Sequence, residues 1–325
     1  MLPVAITIDT EYSSGLYRSG VGRTCEDNFA RCIQCQTKTG AVGIGYQMDV
    51  FDRHGIRGVF FVDPMPALVW GTDSVRRVVQ PILERGHEVQ LHLHTEWLEF
   101  AESSPVGKRT GQNIADFSLA DQRVLIGYAL EQLMLAGVPT PIAFRAGNYG
   151  ANDDTLGALS ELGIAIDTSF PPGIANSRCA ISLGAEDMFP ARHFGIVELP
   201  IGAIAGKGNG RRHAQLTAMS LWELRSMVNH AVACDWPALV LVSHSFEMMN
   251  RKRGTANRIV QRRFERFCEW LPSMPAVRTI GLGDQEFVKH VSTVNLPPKP
   301  HLLPHAPLRT MSRMGEQLAA NLLYG

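Results

Sequence analysis

Asp9-Thr10-Glu11, His92-Leu93-His94, Arg145, Asp167 and His244 share one property: each follows a short apolar run. Carboxylates, imidazoles and a guanidinium are costly to bury unless each finds a partner or a metal. A collection of this kind is what hydrolytic chemistry requires. Glu11, His92 and His94 offer one carboxylate and two imidazoles, the donor set of a catalytic zinc site with an open position. Side chains two apart on a strand share a face, so His92 and His94 can reach one ion. If the chain turns helical after His92, Glu96 replaces His94 as third ligand. His94 ranks first, because a second imidazole adds affinity for zinc without adding charge. Read one by one, such residues are strand-end polar groups bonded to loops; their recurrence argues for a site.

The elements that must position them follow from periodicity. Short β-branched runs at Val4–Ile8, Gly58–Val62, Glu88–His92, Ile142–Arg145, Ile164–Asp167, Ile196–Pro200, Ala238–Ser243 and Val277–Leu282 predict strands. Helical patterns fall between them, near 44–54, 73–85, 118–136, 153–162, 220–234 and 255–271. In the last, Val260, Phe264, Phe267 and Leu271 share one face. In 118–136, Ser118 caps the start, and Gly137 and Pro139 end it. Alternation of strand and helix implies parallel pairing with right-handed crossovers. The expectation is therefore an α/β fold: a single-domain, distorted (β/α)7-8 barrel of parallel strands over 1–290. Its chemistry would lie at the C-terminal ends of the strands. Residues 12–43 and 95–117 are long interruptions leaving that face, and 12–43 is expected to roof the site. Residues 291–325 read as a Pro-rich strap, with five prolines between Asn295 and Pro307, then a short amphipathic helix bearing Met311, Met314, Leu318 and Leu322. That helix is expected to dock on its own barrel, with a dimer contact as the alternative.

The order of these motifs resembles that of the polysaccharide deacetylase family (carbohydrate esterase family 4). The family's strand ending Thr-Phe-Asp-Asp is similar to Thr7-Ile8-Asp9 with Glu11. Its Gly-His-Glu-Ile-x-x-His motif is similar to Gly86-His87-Glu88-Val89-Gln90-Leu91-His92, with His94 following. Its Arg before a Gly-containing turn resembles Arg145-Ala-Gly-Asn-Tyr-Gly150. Leu162-Gly163 through Asp167-Thr168-Ser169-Phe170 resembles the fourth motif, and Leu241-Val-Ser-His244-Ser the fifth. Gly55-Ile56 through Phe60-Phe61-Val62 matches a further strand. The likeness spans residues 4–250 in the right order. Two departures stand out: Asp-x-Glu replaces adjacent Asp-Asp, and His-x-His replaces His-x-x-x-His.

The resemblance implies a metal-dependent hydrolase, with Zn2+ as the metal, that removes an N- or O-acetyl group from a carbohydrate by attack of a metal-bound water. It implies Asp9 as general base, Glu11, His92 and His94 as metal ligands, Arg145 orienting Asp9, and His244 as general acid. It further implies Asp167 as the partner of His244, and a backbone N–H near Asn148 or Tyr149 at the developing oxyanion. Two other readings compete: hydrolysis of a small cyclic amide C–N bond, and a non-catalytic carbohydrate-binding barrel. The intact base and acid argue against the latter.

Composition narrows the partners. Lys plus Arg and Asp plus Glu number 31 each, so no global charge steers the chain to nucleic acid or an anionic membrane. No apolar stretch is long enough for a transmembrane segment. Six cysteines do not suggest a disulfide framework, and no signal peptide is read, so the expected compartment is cytoplasmic. Cys25, Cys32 and Cys35 read as ordinary thiols. The basic run Arg251, Lys252, Arg253, Arg258, Arg262, Arg263 and Arg266 reads as a solvated face, with an acidic partner as alternative. Lys207, Arg211, Arg212 and His213 form either an anion-holding loop or a surface loop. His54 and His87 read as structural. Oligomeric state is not legible.

Overall fold

The computed structural model describes residues 1–184, 186–293 and 301–324. All eight expected strands are present. We number the sheet strands β1 (Leu2–Thr10), β2 (Val59–Val62), β3 (Glu88–Leu93), β4 (Ala143–Ala146), β5 (Ile166–Asp167), β6 (Ala191–His193), β7 (Ile196–Glu198), β8 (Leu239–His244) and β9 (Val277–Thr279). They form one curled sheet in the order β8-β1-β2-β3-β4-β5-β7-β6, with β9 also on β1. Every pairing is parallel except β6 with β7. β1 is paired along both edges, with β8, β2 and β9, and each of its residues is buried. That is why it reads as an almost unbroken apolar run rather than an alternating one.

Register gathers the polar strand ends. Asp9 pairs with His244 across β1 and β8, and His92 with Arg145 across β3 and β4. The barrel is not closed by a strand ladder. An irregular segment fills the gap beside β8: the Gly202 amide donates to the Val240 carbonyl (3.0 Å) and the Leu216 amide to the Val242 carbonyl (3.1 Å). Gly202 is required there, since a Cβ would meet the Leu239 side chain at 2.6 Å. This seam is the distortion in the barrel.

The expected helices form at Ile44–Arg53, Thr72–Glu84, Leu119–Leu135, Asp153–Glu161, Leu221–Ala233 and Arg258–Trp270. Ser118 caps the third by accepting from the Asp121 amide. Segment 12–43 is more ordered than a loop. It holds short helices at Ser14–Arg18 and Cys25–Cys32 and a two-stranded hairpin. Buried Asn28 ties it together, bonding the Ser13 backbone and the Gly22 carbonyl. Tyr12 and Tyr17 then pack on Trp70, and Tyr17 on Trp97 and Phe100.

The C-terminal helix, Pro307–Tyr324, docks with the face opposite to that expected. Leu308, Met311, Met314 and Leu318 are exposed. Its Glu316 pairs instead with buried Arg263 at 2.6 Å. A buried guanidinium needs a carboxylate more than the barrel needs four further apolar side chains. Residues 295–300 of the anticipated strap lie outside the described residues, as does the side chain of Leu322; residues 301–306 have no regular structure.

Candidate active site

The parallel sheet delivers Asp9 and Glu11 from β1, His92 and His94 from β3, Arg145 from β4 and His244 from β8 to one end. Glu11 Oε2 lies 2.5 Å from His94 Nε2 and 3.4 Å from His92 Nε2. Donor atoms of the three residues lie within 4.8 Å of one another. The fit to a metal rests on Glu11: its buried Oε2 makes no well-formed hydrogen bond and faces two imidazole nitrogens, of which His92 Nε2 carries no proton. A buried carboxylate oxygen turned to imidazole nitrogens in poor hydrogen-bond geometry is better satisfied by a cation between them. One oxygen and two imidazole nitrogens suit zinc.

Neighbours orient both imidazoles. His92 Nδ1 is 2.7 Å from the Arg145 carbonyl, so Nδ1 carries the proton and Nε2 is the bare donor atom. His94 Nδ1 is 3.1 Å from Glu96 Oε2. The chain stays extended through His94, and a 3-10 turn starts at Thr95. Glu96 therefore stands behind His94 rather than replacing it. Burial disfavours charge on Glu11 and His94, but their contact prevails: Glu11 is held well below the usual carboxylate range and His94 well above the usual imidazole range.

Gly147 lies against the same ring. A Cβ there would stand 2.7 Å from His94 Nδ1. Gly147→Ala must push the imidazole aside, and affinity for a divalent metal held by Glu11, His92 and His94 is expected to fall about 10–100-fold. Competition with a chromophoric chelator measures this; an unchanged affinity would show that the ring has room to move.

Asp9 is buried and takes a 2.5 Å ion pair from Arg145 Nη1. Burial pushes its carboxyl up, but Arg145, then His92 and His244, outweigh it and hold it below the usual value. Asp9 is thus ionised at any working pH. Arg145 is wholly buried, donates also to Thr7 Oγ1 (2.9 Å), and stacks 4.2 Å over the Phe61 ring.

His244 Nε2 faces Asp9 Oδ2 at 3.8 Å. Its other nitrogen corrects one expectation. His244 Nδ1 pairs with Glu247 Oε1 at 2.9 Å, not with Asp167. Asp167 is turned to the Ser169 hydroxyl (2.7 Å) and amide (3.1 Å), and shares a buried contact with Glu198. The short β5 ends at Asp167, and its side chain serves the turn that follows. Burial lowers the basicity of His244, but Glu247, Asp9 and Glu11 reverse this and raise it to about 9. Glu247→Gln keeps the shape and loses the charge. It is expected to move the alkaline limb of the rate profile down by about one unit or more. A limb that stays in place would remove Glu247 from this role.

The sequence reading missed Glu247 and Asp63. Glu247 sits three residues after His244, on the turn that closes back on it. Asp63 follows the apolar Val59–Val62 run, the same signature that revealed the other residues. Its Oδ1 accepts from the Met65 and His94 amides (3.1 and 3.3 Å), and burial raises its carboxyl to about 6. After Arg145, Asn148 and Tyr149 both have φ of 56°. Their amides open a short 3-10 turn, where first-turn N–H groups lack intrahelical acceptors. The Tyr149 hydroxyl meets buried His213 Nε2 at 3.0 Å.

The cavity beside Glu11 and His94 measures about 170 Å³. Tyr12, Ser13, Ser14 and Cys32 of segment 12–43 form part of its wall. Several other residues singled out in the sequence are committed to contacts of their own. Arg211 pairs with Glu186 and Arg212 approaches Glu223 at 3.7 Å, so that loop spends its guanidinium groups on its own chain. Cys25, Cys32 and Cys35 are free thiols, and the nearest thiol contacts run to Tyr12 and to carbonyls. His87 is structural, bonded by the Gly58 amide and paired with Asp52. Arg263 is buried, so the basic run is not a single solvated face.

Solved structures share this fold at low sequence identity. A protein named as a polysaccharide deacetylase from Mycobacterium smegmatis aligns with a TM-score of 0.58 and 18% identity over 94% of this chain and 95% of that one. Another so named, from Pseudomonas aeruginosa PAO1, aligns at 0.51 and 14% over 89% and 90%. An allantoinase aligns at 0.54 and 13% over 89% of each chain. The chain therefore has the curled (β/α) barrel of the polysaccharide deacetylase structures. No family model matches the sequence, and no curated protein matches it.

Proposed function

We propose that this protein is a zinc-dependent hydrolase that removes an N- or O-acetyl group from a carbohydrate. The observation that carries the reading is the pairing of Asp9 and His244 in register on adjacent strands, facing each other beside the Glu11, His92 and His94 cluster. These three would hold the ion, which when bound polarises an acyl oxygen and acidifies water. Asp9, kept ionised by Arg145, accepts the proton of the attacking water. His244, kept protonated by Glu247, gives a proton to the departing amine or alcohol. Water thereby adds across the acyl bond, leaving acetate and the freed sugar. The amides of Asn148 and Tyr149, in the turn that follows Arg145, would serve the oxygen that gains charge. Free thiols suit the reducing cytoplasm, where the substrate would be a soluble sugar.

A second reading, opening of a small cyclic amide, draws on the fold shared with an allantoinase and on the modest cavity. One set of assays separates them: metal content of purified protein, acetate release from acetylated sugars, and ring opening of hydantoin-type amides. Asp9→Asn is expected to keep its zinc and lose about 10²–10⁴-fold in acetate release. Protein that binds no divalent metal, or Asp9→Asn working at the parent rate, would overturn the proposal. Ring opening without acetate release would select the second reading.

A further inference from the structure

Besides His94, three charged side chains line the active-site cavity: Glu11, Glu96 and Arg251. Glu11 faces both imidazoles, and Glu96 is taken up by His94 and Asn148. The third is Arg251, and it differs from them. Among the described residues no carboxylate lies within ion-pair distance of it. Most other arginines near this face do have partners: Arg18 pairs with Glu99, Arg145 with Asp9, Arg211 with Glu186.

Arg251 is nevertheless held in place. Its guanidinium lies 4.7 Å over the Phe246 ring, and Phe246 stacks on His244 with centroids 5.1 Å apart. The acid, an aromatic ring and a cation are thus in contact one after another, and the last two line the cavity. Its charge also reaches inward. Burial pushes the Cys32 thiol up to about 11, and Arg251 is the foremost group opposing that rise. A cation over an aromatic face gains from the ring quadrupole while its N–H groups remain free to meet an anion in the ring plane.

We propose that Arg251 is a specificity residue that receives an anionic oxygen group, carboxylate or phosphate, on the acylated substrate. The inference rests on the hydrolase reading above and narrows its substrate class to acidic sugars. A planar guanidinium binds either group through two parallel hydrogen bonds, and such charge-assisted contacts are about twice as strong as neutral ones. The overall charge of the chain is balanced, so any preference for anions has to be local.

The test uses zinc-supplemented full-length protein and three probes sharing one acetylated ring. N-acetylglucosamine is neutral, N-acetylmuramic acid carries a carboxylate, and N-acetylglucosamine 6-phosphate carries a phosphate. Calorimetric binding is the readout. At least one acidic probe is expected to bind about tenfold or more tightly than the neutral sugar. Arg251→Gln should abolish that margin, Arg251→Lys should keep part of it, and Arg253→Gln, a nearby exposed control, should leave it intact. The two acidic arms tell carboxylate from phosphate. Equal binding of all three probes, binding of none, or a margin that survives Arg251→Gln would overturn the inference. Acetate release is followed in parallel. Release from the neutral sugar without discrimination would leave the hydrolase reading standing and sink this inference alone. An Arg251-dependent margin without any release would do the reverse.

Discussion

Arg145→Met is expected to destabilise the protein by about 3–5 kcal/mol at neutral pH, more than any other single substitution at this face. Methionine keeps most of the stem volume, so the loss is one of charge. Asp9 would remain in a buried position with its 2.5 Å partner gone. Arg145 also gives up its bond to Thr7 and its place over Phe61. The pH dependence has a definite sign. In the parent, Asp9 is held below its usual value, so its contribution is present above that value and fades as acid protonates it. In Arg145→Met, burial acts unopposed by that cation and the carboxyl rises. The deficit should then be largest at neutral pH and shrink as pH falls and Asp9 becomes neutral. Asp9→Asn placed in the same background removes the orphan charge and should recover part of the loss. Urea unfolding of the parent, the Arg145→Met and Asp9→Asn single variants and the double variant measures all of this. A cost under about 1 kcal/mol would mean that water reaches Asp9 freely.

His92→Ala is expected to lower zinc affinity by more than about 100-fold and to take acetate release with it. His92 is buried, fixed by the Arg145 carbonyl and aimed at Glu11 through Nε2. Nothing else nearby can substitute: Glu96 is behind His94, and Asp63 is committed to two backbone amides. Stability should suffer much less than in Arg145→Met, since Glu11 keeps its 2.5 Å contact with His94. Metal analysis after dialysis against a weak chelator gives the result directly. Full metal occupancy in His92→Ala would show that the ion, if any, is bound elsewhere.

The strands and the helices between them were legible because their signals are local. β1 and β8 are apolar runs ending in Asp9 and His244, and parallel order alone brings those ends together. Ser118 and Gly137 bound their helix through backbone chemistry that needs no tertiary partner. What escaped depends on distant contacts. The helices inside 12–43 are too short for periodicity to show; they form because Asn28 and the aromatic cluster hold them. The outward apolar face of the last helix was unreadable, because the competing demand of buried Arg263 comes from another element. Asp167 and Glu247 were confused because a strand-end carboxylate says nothing about which way its side chain turns. Glu247 was within reach of a closer reading, three residues from the histidine it serves.

The pairing of β1 along both edges bears on how the chain emerges during synthesis. Thr7 leaves the ribosome well before Leu241, whose carbonyl accepts its hydroxyl hydrogen bond across a separation of 234 residues. At about 5–20 residues per second, roughly 10–50 s pass before that partner exists. During that interval Leu2–Ile8 is an apolar strand with an open edge, the kind of segment that pairs with other chains. The strand that carries Asp9 and Glu11 is therefore the part of the molecule with most need of a chaperone, and its folding yield in cells should fall first when chaperones are scarce.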